Sequence, residues 1–478
     1  MNTVLAFDLG ATSARGIVYT FSSGCLEEKE IYRFTDYQIF HQEKPEIYWN
    51  FPKLLKEIKT IISIAAQSYQ IDSIGFDSWG CDFGLINKEG ELVMLPLCYQ
   101  TMLFEENLHY GHDLPPCFQE KTGIANASIN TSSQLLFLKE HYPDALLNAD
   151  KLLMIPDLIH YFLTGQVLAE SSIASTSQLF DMKQQQWSLE LIKKLALPPT
   201  IFSTIVLPFT KVGDFKTEKY SIPIHSVIQH DTASAVYALP TNEDTNYFLS
   251  SGTWSVLGQK TECGLILENP LDNQYSYEQA GDGKVLKLQN LLGMWFIEEA
   301  LHEVNAKQPL TIQEVQTMLA ENQPLRFFFN NQDPIFSNKG KFVATLKKYG
   351  EENQFPLLKT ASQLFLTIYQ NLAFKYAHVF TNLMDKPSKT IFLFGGGSKS
   401  SFLNQLIADL TQCQVAVCTS ESSALGNALA QLAALNFLRT RDNLVAVIQQ
   451  HQPPFYFIPT INKPYTTLYQ EYLQFTQQ

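Results

Sequence analysis

A chain of 478 residues is longer than one hydrophobic core usually supports, so two domains are expected. With 45% hydrophobic and 17% charged residues, the composition is that of an ordinary soluble globular protein. A formal charge of −13 excludes nucleic acid as the main partner, because that binding rests on basic surface. It leaves a nucleotide ligand open, since phosphates can be held by local backbone N–H groups and Mg²⁺.

The N-terminal "MNTVLAFDLG" goes straight into a strand pattern, without the basic and apolar regions of a signal peptide, and none is expected. "TVLAFDLGATSARGIVYTF" reads as strand, tight Gly turn, strand, with Asp8 ending the first strand. "NFPKLLKEIKTIISIAAQSY" has helical spacing, with Leu54, Leu55, Ile58, Ile61, Ile62 and Ala65 on one broad face. "IDSIGFDSWGCDFGLINKEGEL" returns to strand and "NKEGEL" is a hairpin turn. "SSQLLFLKEHYPDALLNA" and "DKLLMIPDLIHYFLTG" carry helix periodicity, the second capped by Gly165. After a Pro-punctuated connection, "PIHSVIQ" is a strand and "DTASAVYAL" a helix beginning at or near Asp231.

The polar, turn-prone "LPTNED" (Leu239 to Asp244) marks the boundary, giving domains 1–240 and 241–478. Then "NYFLSSGTWSVLGQK" repeats the strand–turn–strand pattern, with Ser251-Gly252-Thr253-Trp254 matching Gly10-Ala11-Thr12-Ser13. A long helix over "LKTASQLFLTIYQNLAFKYAHVFTNLM" precedes "KTIFLFGGGSKSSFLNQLIADL", a strand, Gly-rich turn and helix. "SALGNALAQLAAL" is the last helix of this part. No window has the length and apolarity of a membrane span. The seven cysteines are scattered without a C-x-x-C pair, so reduced thiols and a cytoplasmic location are expected.

Several stretches can carry chemistry, and each has a plainer reading. Gly10 lets a ligand approach the backbone, and Ala11, Thr12, Ser13 and Ala14 offer small side chains, hydroxyls and N–H donors suited to phosphate. Arg15 adds a cation, and Asp8 can hold Mg²⁺, which takes oxygen ligands. The plain reading is a hairpin whose Asp and Thr satisfy the turn. Thr253 offers the same chemistry in the second hairpin, without an acid. Gly395-Gly396-Gly397 frees backbone to pass beneath a ring or ribose, or is only a flexible joint; it is not a Walker A loop. Trp79 beside Asp82 suits a sugar, with Gly80 leaving room; otherwise Trp79 is core and Asp82 a turn residue. Asp231, after His230, is either a helix N-cap or a general base for phosphoryl transfer. "HYGHD" (His109 to Asp113) is a solvated loop, not a metal site.

In that order, "FDLGATSAR", "DSWGCDFGLI", "HDTASAV", "SSGTWS" and "GGGS" resemble the FGGY carbohydrate kinases, over almost the whole chain. Within that family, "LLMIPDLIHYFLTG", "LKLQNLLGMW" and "ESSALGNALAQ" are most similar to the rhamnulokinase group. The resemblance implies an α/β fold of two actin-like (ribonuclease H-like) ATPase domains around a central cleft. It implies a sugar and ATP as small-molecule partners, Mg²⁺, and a monomer or homodimer. By position, ATP phosphates would meet Asp8, Ala11 to Arg15 and Thr253, and adenosine would lie at Gly395 and Gly396, with Glu298 nearby. The ketose site would comprise Gly80, His230, Asp231, Thr232 and Asn290, with Asp231 as base. The reaction implied is transfer of the ATP γ-phosphoryl to the 1-hydroxyl of a ketose such as L-rhamnulose. Alternatives are another ketose or polyol (L-fuculose, xylulose), a sugar-binding regulator without catalysis, or an actin-like ATPase switch.

The chain also departs from that pattern. Gln100 and Thr101 stand after Tyr99 where Arg-Asp is usual, exchanging charged donors for neutral groups. Gln279-Ala280 follows Glu278 in place of Gly-Gly, and Glu298 replaces a Gln.

Overall fold

The computed structural model describes residues 1–40, 46–112, 114–243, 246–262, 275–306, 309–320, 323–336, 339–384 and 389–476. The chain forms two compact units. The first comprises Met1–Asp244, Lys260–Lys287 and Glu421–Gln452; the second comprises Thr245–Gln259, Leu288–Ser420 and Pro453–Gln478. They differ from the contiguous halves 1–240 and 241–478 because two later segments return to the first unit. Asp244, within the expected boundary, lies outside the described residues.

The first unit opens with a hairpin, β1 (Asn2–Leu9) and β2 (Ser13–Ser22), extended by β3 (Cys25–Thr35). Val4 to Phe7 and Leu9 are fully buried, the continuous apolar run of a central strand. Helix α1 (Phe51–Ser68) starts where Asn50 Oδ1 accepts from Lys53 N–H at 3.2 Å. Its Leu54, Ile58, Ile61, Ile62 and Ala65 face the core as the periodicity requires, while Leu55 is only partly buried. Each such Leu or Ile contributes about 1.5–3 kcal/mol.

Strand β4 (Ser73–Ser78) pairs parallel with β1. The region 131–164 corrects the helical reading twice. Pro143 splits the first run into Thr131–His141 and Pro143–Asn148, because proline lacks the N–H and fits only a first turn. In the second, Lys151–Met154 is a strand pairing with Phe83–Ile86, and α2 (Ile155–Thr164) begins only at the residue before Pro156. Gly165 ends α2 at φ +75°. Strands β5 (Lys211–Lys216) and β6 (Ser221–His225) follow; β6 stops five residues before His230, so only part of "PIHSVIQ" is strand. Helix α3 spans Asp231–Tyr237. The sheet order is β5-β6-β4-β1-β2-β3.

In the second unit β7 (Asn246–Ser251) and β8 (Trp254–Thr261) are joined by two residues, which makes them a hairpin. Next come β9 (Val285–Leu292), α4 (Trp295–Asn305) and α5 (Ala361–Leu383). A capping box opens α5: Thr360 Oγ1 accepts from Gln363 N–H, and the Gln363 side chain accepts from the Thr360 N–H. Strand β10 (Thr390–Phe394) pairs parallel with β7; α6 (Ser401–Thr411) and β11 (Gln414–Val417) follow it. With β12 (Phe455–Phe457) the order is β9-β8-β7-β10-β11-β12, and the Ser276–Gln279 strand pairs with β9 as the seventh, at that edge. Each unit thus repeats a hairpin whose first strand has a parallel neighbour.

Helix α7 (Ser422–Ala434) returns to the first unit. Its Asn427 and Gln431 amides donate to the carbonyls of Phe7 and Leu5. Gly426 lies against α3, where a Cβ would overlap the Ser234 carbonyl. Among the described residues no helix is long and apolar enough to cross a membrane.

Candidate active site

Two carboxylates lie side by side in the first unit, and the charge of a third, Asp231, reaches them. Parallel pairing of β1 and β4 sets Asp8 beside Asp77. Antiparallel pairing sets Asp8 opposite Arg15, whose Nε donates to Asp8 Oδ2 at 3.0 Å. Arg15 also pairs with Glu421. The turn between them closes where Gly10 N–H donates to Ser13 C=O at 3.0 Å, and Tyr37 O–H donates to Gly10 C=O. Thr12 is exposed, and Ala11, Ser13 and Arg15 are half-buried, while Ala14 is buried. Asp77 is wholly buried: Oδ2 accepts from Asn427 Nδ2 at 2.8 Å and Oδ1 makes no hydrogen bond among the described residues. Burial, and then the charge of Asp8, holds its carboxyl well above the usual range, with Asp231 adding to the effect.

His230 occupies the N-cap position of α3 with extended backbone and makes no side-chain cap. Asp231 is therefore the first helical residue, where the dipole favours an anion. Its Oδ1 accepts from the Thr232 N–H and, at 3.2 Å, from Thr232 O–H. Its Oδ2 makes no hydrogen bond among the described residues. Neighbours crowd Asp231, yet 34% of its side chain is accessible, so it lies recessed but reachable. Crowding raises its pKa, the His230 charge opposes this and Asp8 reinforces it. His230 Nε2 lies 3.4 Å from Asp231 Oδ1, and Nδ1 lies 3.0 Å from Glu278 Oε2. The His230 backbone is held by Ser172 Oγ at 3.2 Å, and Gln229 C=O accepts from Ser78 N–H at the end of β4.

In the second unit Thr253, in the hairpin turn, donates to Glu298 on α4 at 3.2 Å. Partial burial raises the Glu298 pKa and the Thr253 bond opposes it. The three glycines after β10 divide in role. Gly395 has φ +85°, and a Cβ there would meet the Ser251 carbonyl oxygen at 2.7 Å. A Cβ on Gly397 would overlap the Ser251 hydroxyl, but one on Gly396 would meet nothing within 4 Å. Gly396 alone is exposed. Asn290 is exposed on β9.

Residues 3–236 match the N-terminal domain, and residues 247–435 the C-terminal domain, of the FGGY family of carbohydrate kinases. The chain belongs to that family. Curated relatives include the rhamnulokinase of Bacteroides thetaiotaomicron, 32% identical over 89% of both chains. That of Enterococcus faecalis is 33% identical over 91% of this chain and 90% of its own. Among solved structures, a xylulose kinase from Lactobacillus acidophilus aligns with TM-score 0.79 at 17% identity, covering 100% of this chain and 98% of its own. A Plasmodium falciparum glycerol kinase with ADP aligns at 0.77 and 14%, with the same coverage. The fold is the two-domain, actin-like (ribonuclease H-like) α/β fold, and this FGGY chain is an ATP-dependent sugar kinase.

For an FGGY kinase, several expected contacts are turned inward. Asp82 is fully buried, its carboxylate accepting from Trp49 Nε1, Trp79 Nε1, Tyr99 N and Gln134 Nε2 at 2.7–3.2 Å. Burial lifts its pKa to about 6 against those donors. Trp79 is 7% exposed and packs on Trp49 at 4.2 Å, so both residues belong to the core, and Asp82 is not the turn residue of the plain reading. The room at Gly80 is taken by the Thr176 side chain, which a Cβ on Gly80 would meet at 2.9 Å. In the neutral stretch, a 3₁₀ turn over Tyr99–Leu103, Thr101 pins Ile47 and Met102 is buried; Tyr99 and Gln100 stay half-buried. "HYGH" is a short helical turn with His109 exposed, and Asp113 lies outside the described residues. Asp77, Glu278 and Glu421 had no assigned role in the sequence reading. Only the strand pairing of Asp77 with Asp8 could have signalled one. A depression of about 490 Å³ lined by Tyr48, Leu95, His141 and Tyr142 contains none of these residues.

Proposed function

We propose that the protein transfers the γ-phosphoryl of ATP to the 1-hydroxyl of L-rhamnulose, with Asp231 as general base. The rhamnulokinases among its relatives support the sugar. The observation that carries the base is a recessed carboxylate at the first residue of α3, with one oxygen occupied by Thr232 and the other open. Asp231 takes the hydroxyl proton as the sugar oxygen bonds to phosphorus and the bond to ADP breaks; such help is worth about 10²–10⁴-fold. His230 and Thr232 orient the sugar, and the side chains of Tyr99 and Gln100 border it. The turn N–H groups of Ala11 and Thr12, with the Thr12 and Ser13 hydroxyls, hold phosphate oxygens, and Arg15 lies beside them on Asp8 and Glu421. In the second unit Thr253 serves phosphate, and Gly395 and Gly396 lie beneath adenosine.

No group of three or more metal-ligating side chains is assembled among the described residues. Mg²⁺ in kinases needs only one or two carboxylates beside phosphates and water, and Asp8, with Asp77 Oδ1, free of hydrogen bonds among the described residues, beside it, fits that donor set. Asp8 would hold the ion, which supplies charge neutralisation at the phosphates.

The test is turnover with MgATP across ketoses and polyols, reading ADP release and locating the phosphate by NMR. L-Rhamnulose giving the 1-phosphate with the highest kcat/KM is expected. A strong preference for L-fuculose or xylulose would move the reading to that sugar. No acceptor in the panel would overturn it.

A further inference from the structure

Beside the base, His230 stands between two carboxylates. Nδ1 lies 3.0 Å from Glu278 Oε2, and Nε2 lies 3.4 Å from Asp231 Oδ1. With the imidazole protonated, this contact is an ion pair. It is nearly dry: 11% of the His230 side chain and 9% of that of Glu278 are accessible. Glu278 comes from the Ser276–Gln279 strand, far from His230 in sequence. That strand is anchored by Gln279 N–H donating to Ser175 Oγ at 3.0 Å and Tyr277 N–H donating to Gly123 C=O at 2.9 Å. A desolvated carboxylate beside an imidazole favours the imidazolium, and an imidazolium cannot take a further proton.

We infer that Glu278 is a positioning residue for the reaction, acting through His230 to keep a cation against the Asp231 carboxylate. This rests on Asp231 being the base. Burial works against the imidazolium, but the charges of Glu278, then Asp231 and Glu170, outweigh it and push the His230 pKa up to about 9. Asp231 also faces Asp8 on β1, Asp77 on β4 and Tyr99 in the 3₁₀ turn, and the negative charge there opposes its ionisation. The His230 cation is the compensating charge. With it, Asp231 stays ionised to lower pH and is ready to accept the hydroxyl proton. Without it, Asp231 protonates at higher pH, and the acid limb of activity moves up.

The test is the pH profile of kcat/KM for the wild type, Glu278→Gln, Glu278→Asp, His230→Gln and the Glu278→Gln/His230→Gln double variant. All are measured with the same MgATP and acceptor, so the titration of ATP itself is common to them. Glu278→Gln is expected to move the acid limb up by about one pH unit, losing about tenfold at low pH. Activity recovers toward wild type as the pH rises. Glu278→Asp restores part of the shift, and the double variant moves the limb no further than His230→Gln alone. A uniform loss at every pH, or an unmoved limb, overturns the inference. If Glu278→Gln fails to fold, the Glu278→Asp and His230→Gln profiles carry the comparison, and an unmoved limb in both overturns it. Asp231→Asn run in parallel separates the two readings. If Asp231→Asn keeps wild-type turnover, the base reading fails; if it is inactive while the Glu278 limb is unmoved, only this inference fails.

Discussion

Asp231 and Glu298 show how one kind of side chain acquires different work from its surroundings. Asp231 is recessed, placed at a helix start and faced by a histidine, the conditions for a carboxylate that takes a proton. Glu298 is exposed beside Thr253, where, in the proposed nucleotide site, a negative charge would oppose phosphate. Glu298→Gln is therefore expected to lower KM for ATP by a few-fold, with kcat little changed, as suits a partly solvated charge. The gain should fade as the pH falls, because protonation removes the same charge from the wild type. Steady-state kinetics at two pH values checks this; an unchanged or raised KM would remove Glu298 from the nucleotide site. At this scale the sequence offers candidates where chemistry is local. His230-Asp231-Thr232 and the Gly10 to Arg15 turn are contiguous, so their residue types reveal what they can do. Glu278 and Glu421 reach their partners only through tertiary structure, and no spacing in the chain announces them. Trp79 and Asp82 misled for the opposite reason: an aromatic and an acid side by side suit a sugar, but here they bond to each other inside the core.

The elements that position these groups are set by close packing. Glycines in "GGGS" look alike in sequence and differ in space. Gly396→Ala adds a methyl to open space and should leave Tm unchanged while raising KM for ATP. Gly397→Ala drives a methyl into the Ser251 hydroxyl and should cost about 1–3 kcal/mol of stability. Thermal melts with and without ADP distinguish them; equal losses of Tm would mean that Gly396 is structural too. The hairpins, α1 and the start of α3 were legible because apolar period and turn glycines agree there. The run "DKLLMIPDLIHYFLTG" was not, since four apolar residues before a proline fit strand and helix alike until their partner strand is known.

Across the whole molecule, the two units repeat one hairpin-and-parallel-strand plan, yet the chain does not divide into halves. Helix α7, from beyond residue 420, gives the first unit its Asn427 contact to Asp77 and its tight seat against α3. The repeat was visible in the paired hairpins; the return of α7 was not, because a contact about 350 residues away in sequence leaves no local pattern. The account converges on Asp231, and Asp231→Asn with the preferred ketose tests it most directly. The amide keeps the shape and the Thr232 contacts but cannot take the proton. Binding of ADP and ketose by calorimetry should stay near wild type while kcat falls by about 10²–10⁴-fold. Turnover within a few-fold of wild type would contradict the account.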